Sequence, residues 1–297
     1  MKRTAFGSGS AFVLACTLLL AALGGGCGSR GDRQVIQNKG SDTLVNVAQA
    51  WAEAYGILHP DSRVAVSGGG SGTGISAMIN GTVDIANCSR KMTEEEIAAA
   101  RANGHDPVEF VVGYDALAVF VHRDNPIQSL TLGQLAAIYG EGGEIETWND
   151  LGVEIPGAKS DEIVLVSRQN NSGTYAYFRE AVLGEKGEYK LDTLDMNGSK
   201  DLVDLVATTP GAIGYSGIAY ATSEVKVVPI AKDAESPPIV PAVSTALDGS
   251  YPIARPLFMY TAGRPTGAIK DYMDWILSDE GQRVLLRKGY APIRAVD

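Results

Sequence analysis

The chain has 297 residues, with 25 basic against 35 acidic side chains and a formal net charge of −10. An acidic chain of this kind repels nucleic acid and anionic membrane surfaces, so neither is an expected partner. Of the three cysteines, Cys16 and Cys27 fall in the N-terminal leader, leaving Cys88 as a lone thiol; the fold must rest on a packed core and not on disulfides.

The leader is read first. Met1-Lys2-Arg3 gives a basic start, residues 11–23 are apolar, and Gly24-Gly25-Gly26 precedes Cys27. This is the pattern of a secretory signal peptide over residues 1–26, too short in its apolar run to span a bilayer. Small residues before Cys27 and a polar tether over residues 27–33 resemble a bacterial lipoprotein processing site, so lipid attachment at Cys27 is the expectation. Ordinary cleavage and free secretion is the alternative. Roughly 270 residues then remain, more than a typical single domain and enough for two lobes.

From residue 34 onward short strand patterns alternate with helical ones, the mark of an α/β protein. Residues 35–37 read as a strand; Leu44, Val47, Ala48, Trp51, Tyr55 and Leu58 then follow helical spacing up to Pro60. Residues 63–66 form the next strand, Ile75, Met78 and Ile79 a helix face closed by Gly81, and residues 83–86 another strand. Thr93 and Glu96 make a capping box for a helix to about Arg101, with Gly104 beyond it. Residues 110–112 and 117–121 read as two buried strands, the second a crossing between lobes. A short helix over residues 132–139 and a strand over 163–167 lead to a helix carrying Tyr175, Phe178, Val182 and Leu183, ended by Gly184. Residues 211–215 form a strand, the proline-rich stretch 236–241 is read as the return to the first lobe, and a strand at 257–260 and a helix at 268–277 finish the chain.

Three loops share one chemistry. Lys39-Gly40-Ser41-Asp42-Thr43, Gly70-Ser71-Gly72-Thr73-Gly74 and Arg168-Gln169-Asn170-Asn171-Ser172-Gly173-Thr174 each run from small hydroxyl and glycine residues into a helical pattern. A helix start offers unpaired N–H groups and the positive end of the helix dipole, and hydroxyls add donors. One such loop needs no ligand, since a helix cap alone contributes about 1 kcal/mol. Three of them suggest helix starts gathered around a small anion.

These segments, with Thr82-Val83-Asp84-Ile85, Ser89-Arg90-Lys91-Met92, and the runs 115–126 and 211–220, resemble the phosphate-binding proteins of bacterial high-affinity phosphate ABC transporters. The resemblance implies an α/β, two-lobed periplasmic-binding-protein fold, each lobe a mixed sheet flanked by helices, with the ligand in the cleft between them. Its boundaries are expected at residues 34–118 with 226–297 for lobe 1 and 119–225 for lobe 2, with hinges near residues 118–122 and 220–225. Carried over residue by residue, the phosphate ligands are Ser41, Asp42, Thr43, Ser71, Ser89, Arg90, Arg168, Ser172, Gly173 and Thr174. Ser89 stands where some members carry the carboxylate that accepts the proton of hydrogen phosphate, and Asp42 is the replacement. Arg90 has a second reading, as a surface partner of Glu94 or Glu95. Asn170 replaces the acid that often orients the arginine of the third loop, which leaves Asp115 as a candidate partner of Arg168 or as a buried acid held by backbone donors.

The expectation is therefore a non-enzymatic, monomeric protein of the periplasm or cell envelope. It captures inorganic phosphate and delivers it to an ABC permease of the inner membrane, touching the membrane only through a lipid anchor and using no cofactor or metal. The alternatives are another tetrahedral oxyanion, such as sulfate or arsenate, or an exported phosphoryl-transfer enzyme. The latter needs metal ligands or a nucleophile with its base, and His59, His105 and His122 show no metal spacing. A Gly-x-Gly-x-x-Ala match at residues 72–77 also fits a dinucleotide fingerprint. Its distal acids sit in a helix start, which disfavours that reading.

Overall fold

The computed structural model describes residues 35–157 and 160–296; the leader, Cys27 and the tether lie outside the described residues. Strands and helices alternate at first: β1 (Val35–Gly40), α1 (Asp42–Leu58), β2 (Arg63–Ser67), α2 (Ser71–Ile79), β3 (Ile85–Cys88) and α3 (Glu94–Ala102). A long strand, β4 (Pro107–His122), then leads through β5 (Leu130–Thr131) and α4 (Leu132–Tyr139) to β6 (Val164–Arg168) and α5 (Gly173–Phe178). Next come β7 (Leu194–Met196), α6 (Ser199–Thr208), β8 (Ala212–Gly217), β9 (Val225–Val228), β10 (Ile230–Ala231) and α7 (Val243–Leu247). The chain closes with β11 (Ala254–Ala262), α8 (Gly267–Leu277) and α9 (Asp279–Arg287).

Hydrogen bonding in the main sheet runs along the path β2-β1-β3-β11-β4-β8-β6-β7, with β9 also on β4, while β5 and β10 pair apart from it. The sheet is mixed: β1 is parallel to β2 and β3, while β11 and β4 pair antiparallel. The strand β4 joins two halves. Its residues from Pro107 to Ala116 pair with β11, and those from Leu117 to Val121 pair with β8.

Each half has its own core, which is what makes the α/β fold two-lobed. In the first lobe Ile36, Leu44, Trp51, Val112, Tyr272 and Leu285 pack on one face of the sheet, and Ile75, Met78, Ala86 and Phe258 on the other. In the second lobe Leu117, Val119, Tyr139, Trp148 and Phe178 form the larger cluster, and Phe120, Val166, Leu202 and Val206 cover the opposite face. Val228, Ile230, Tyr251 and Ile253 also belong to that larger cluster.

Two strand readings need correction. Residues 110–112 and 117–121 are not separate strands but parts of β4. The polar Asp115 that breaks the apolar pattern is fully buried, opposite Arg255 in the neighbouring strand. The strand expected at 83–86 is paired over Ile85–Cys88, because Asp84 spends its carboxylate on the Gln37 N–H at 2.7 Å, ahead of the ladder.

Candidate functional site

The first loop turns sharply at Gly40, whose φ of +145° lies where side chains are disfavoured. A Cβ there would stand 2.2 Å from the Asn87 carbonyl oxygen, so glycine is needed to bring β1 against β3. Ser41 follows, its N–H donating to that same carbonyl at 2.8 Å. Although Ser41 is the N-cap of α1, its hydroxyl does not cap the helix. It donates instead to Ser89 Oγ at 2.8 Å.

Ser71, the first residue of α2, reaches the same place. Its Oγ accepts from the Ser89 N–H at 3.0 Å and lies 3.3 Å from Ser89 Oγ. Three serine hydroxyls from three segments of the first lobe thus converge, all buried.

The second lobe meets them from across. Thr174 Oγ1 lies 2.9 Å from Thr43 Oγ1. Ser172 caps α5, accepting from the N–H groups of Thr174 at 3.1 Å and Tyr175 at 3.4 Å. Asn171 clasps the second loop, its carbonyl accepting from the Gly72 N–H at 2.9 Å and its amide donating to the Gly69 carbonyl at 3.1 Å. Gly173 faces Ser71 and Ser89 directly: a Cβ there would stand 2.3 Å from Ser71 Oγ and 2.6 Å from Ser89 Oγ.

Two arginines lie behind these hydroxyls. Arg168, at the end of β6, is 1% exposed and donates to Ser199 Oγ at 3.0 Å, to the Asn197 carbonyl at 2.9 Å and to Asp42 Oδ2 at 3.1 Å. Burial pulls its pKa down, and the Asp42 carboxylate opposes that pull. Asp42 also accepts the Gly69 N–H at Oδ1, at 2.9 Å, while its own carbonyl accepts from Tyr220 Oη at 2.6 Å. One carboxylate therefore ties the first two loops of the first lobe to the arginine of the second.

Asp115 does not meet Arg168. It faces Arg255, its direct cross-strand partner, accepting at Oδ2 from Nη2 at 2.9 Å and from Nε at 3.2 Å. Burial pushes the Asp115 carboxyl up, and Arg255 opposes this. Sequence reasoning missed Arg255. The signal was a charge within the apolar run of residues 253–260, matched by an equally isolated acid in residues 111–117. Opposite charges buried in two apolar strands imply each other, because a lone buried charge is costly.

The Arg90 side chain, like that of Ser172, is committed to a neighbour of its own. Its guanidinium makes two 2.7 Å bonds to the Glu96 carboxylate and a third to the Lys91 carbonyl. The acid is Glu96, and not Glu94 or Glu95. Arg90 lines a cleft of about 250 Å³, together with Ser89, Tyr177 and Arg255, that opens beside the serine cluster. A larger cavity of about 520 Å³ lies in the second lobe, but Glu141, Glu146, Glu162 and Asp192 line it against the single cation Lys190, a net acidic wall that disfavours anions. Among the described residues no group of His, Cys, Asp and Glu is arranged to hold a metal ion, and no helix is long and apolar enough to cross a membrane.

The arrangement gathers hydroxyl, amide and guanidinium donors, suited to hold an oxyanion. The comparisons agree with that chemistry. Residues 28–280 match the model of the PBP superfamily domain. A phosphate-binding protein PstS of Pseudomonas aeruginosa is 36% identical over 271 residues, which cover 88% of this chain and 83% of the relative. One from Bacillus subtilis is 31% identical, with 86% and 79% covered. The crystal structure of a phosphate ABC transporter substrate-binding protein with bound phosphate from Clostridium perfringens superposes with a TM-score of 0.78 at 29% identity, covering 88% of this chain and all of the other. With its two-lobed fold and a match along most of its length, the chain belongs to the PBP superfamily and, within it, to the family of the phosphate-binding PstS proteins.

Proposed function

We propose that this protein is the phosphate-capturing component of an ABC transporter: it binds inorganic phosphate between its lobes outside the cytoplasmic membrane and hands it to a permease. It makes and breaks no covalent bond. The observation that carries the reading is the meeting of Ser41, Ser71 and Ser89 with Thr43, Thr174, Gly173 and the Asp42–Arg168 pair at one junction of the two lobes. Family membership supports phosphate as the anion, because the matched relatives carry that ligand in their names.

In this reading the hydroxyls of Ser41, Thr43, Ser71, Ser89 and Thr174, the backbone at Gly173 and the Arg168 guanidinium donate to phosphate oxygens. Ser172 shapes the third loop as its helix cap. Arg90 stays at the rim, clipped to Glu96. Asp42 accepts the proton of hydrogen phosphate, a bond that sulfate, which carries no proton at neutral pH, cannot make. A carboxylate facing sulfate keeps an unpaired acceptor and a repulsive charge, costing on the order of 1–3 kcal/mol or more.

The lobe boundaries belong to the same proposal. A partner change in β4 at Ala116 and Leu117 supports one crossing there. The resemblance puts the return near residue 226 and composition puts it at residues 236–241, whereas the packing of Val228, Ile230, Tyr251 and Ile253 with the second lobe favours a return along β11. The leader and Cys27 support export and a lipid anchor for a monomeric binding protein.

Titration calorimetry of the purified mature protein with phosphate and with sulfate tests the reading. The expected result is tight phosphate binding with sulfate far weaker, and Asp42→Asn reducing phosphate affinity while narrowing the gap to sulfate. Absence of phosphate heat in the wild type sinks the function; an unchanged Asp42→Asn sinks the proton-acceptor role alone.

A further inference from the structure

Arg255 stands behind the threonines that join the two lobes, and its guanidinium is held on every side. Asp115 takes Nε and Nη2, the Ser89 carbonyl accepts from Nη1 at 3.1 Å, and the Tyr177 ring lies 5.4 Å from Cζ. It is 1% exposed, and Asp115 is fully buried. With one Nη2 hydrogen on Asp115, the other is shared between Thr43 Oγ1 at 3.3 Å and Thr174 Oγ1 at 3.0 Å.

We propose that Arg255, held by Asp115, is a positioning residue for anion capture, acting by fixing the direction of the Thr43 and Thr174 hydroxyl protons. This rests on the reading of the interlobe junction as the phosphate site. A hydroxyl has one proton and two lone pairs, whereas a guanidinium N–H only donates. Each threonine oxygen must therefore turn a lone pair toward Arg255. The two oxygens are 2.9 Å apart, so one of their two protons lies between them. The remaining proton cannot point at the guanidinium. It points away from Arg255 and serves the anion as a donor, and the pair never offers the anion two lone pairs. Because Asp115 balances the charge of Arg255, the effect is one of hydrogen-bond polarity and not of net charge.

A double-mutant cycle separates this role from direct Coulombic attraction. Titration calorimetry with inorganic phosphate compares wild type, Asp115→Asn/Arg255→Gln, Thr174→Val and the triple variant. The first keeps the net charge; the second keeps the side-chain shape and removes the proton. Each arm is expected to weaken phosphate binding about tenfold, as loss of a charge-assisted donor does, and the triple variant to be at most about threefold weaker than the worse arm. Thr174→Ser, which retains the hydroxyl, keeps wild-type affinity within about threefold. Losses that multiply to about a hundredfold overturn the proposal, since Arg255 then acts independently of the threonines. So does an unchanged Kd for the Asp115/Arg255 variant. If that variant melts early, Asp115→Leu/Arg255→Met, which removes the donor and keeps the net charge, replaces it in the same cycle and is read the same way. A wild type that binds no phosphate overturns the site reading itself, a result distinct from additivity in a protein that does bind.

Discussion

A side chain added at position 173 meets the opposite lobe before it meets anything else. Gly173 has a negative-φ backbone that alanine adopts freely, so the obstacle is contact and not conformation. The added Cβ would press on the hydroxyls of Ser71 and Ser89, which the first lobe holds through their mutual bonds. Overpacking of this kind costs about 1–3 kcal/mol. That cost falls on closure alone, because an open cleft relieves it. Gly173→Ala is therefore expected to melt within about 1 kcal/mol of wild type and to bind phosphate about ten- to a hundredfold more weakly. Small-angle scattering should show less phosphate-induced compaction in the variant. Unchanged affinity would mean that the lobes close by another contact. Most of this cluster was legible in the sequence as hydroxyl-and-glycine loops before helices, because such loops announce their donors locally. The pairing of Arg255 with Asp115 was missed: each shows as an isolated charge in an apolar run, but only the cross-strand register brings the two together.

At the scale of one element, α3 shows what a local signal can specify. Thr93 Oγ1 accepts the Glu96 N–H while Glu96 accepts the Thr93 N–H, the capping box read from the sequence. The same carboxylate receives both Arg90 bonds, so one acid closes a helix and anchors the segment after Ser89. Burial alone would raise the Glu96 pKa; the hydrogen bonds from Arg90 and from the Thr93 N–H outweigh it, and the net direction is down from 4.5. A folded pKa below the unfolded one stabilises the ionised state, fully above about 4.5, and that stability is lost as pH falls through the folded value. Glu96→Gln is thus expected to cost about 1 kcal/mol near pH 7, a part-exposed ion pair plus half a cap. The gap to wild type should shrink in melts taken progressively below pH 4.5. A gap independent of pH would assign the loss to packing. The helices that escaped the sequence reading lack such a signal. α6 (Ser199–Thr208) has Gly198 as its N-cap, with no hydroxyl at that position, and carries β-branched Val203, Val206 and Thr208. α9 follows directly on α8, the helix expected at 268–277, with the single residue Ser278 ending one and capping the next, so no glycine or proline separates them.

For the whole molecule, the crossing of β4 and the return of β11 bring hydroxyl loops from distant parts of the chain to one junction. Alternating strands and helices made the α/β class legible. The crossing was read at residues 117–121, beside the partner change, but the continuity of β4 was not, because the buried Asp115 breaks the apolar pattern and divides one strand into two expected ones. The molecule that results must capture an anion against its own field. Its formal charge is −10, while the cleft offers two arginines each balanced by an aspartate. At long range an approaching phosphate meets net repulsion; only within the cleft do aimed donors dominate, and those are too short-ranged and too buried for salt to screen. Raising ionic strength from about 0.01 M to about 0.15 M shortens the screening length from roughly 30 Å to about 8 Å, which removes the distant repulsion and leaves the contacts. Phosphate association is therefore expected to speed up with added sodium chloride while dissociation changes little, the reverse of electrostatically steered capture. Stopped-flow fluorescence with a probe on the cleft rim reads both rates. If association slows instead, Arg168 and Arg255 govern the field at the cleft mouth, and the acidic surface has no part in the approach.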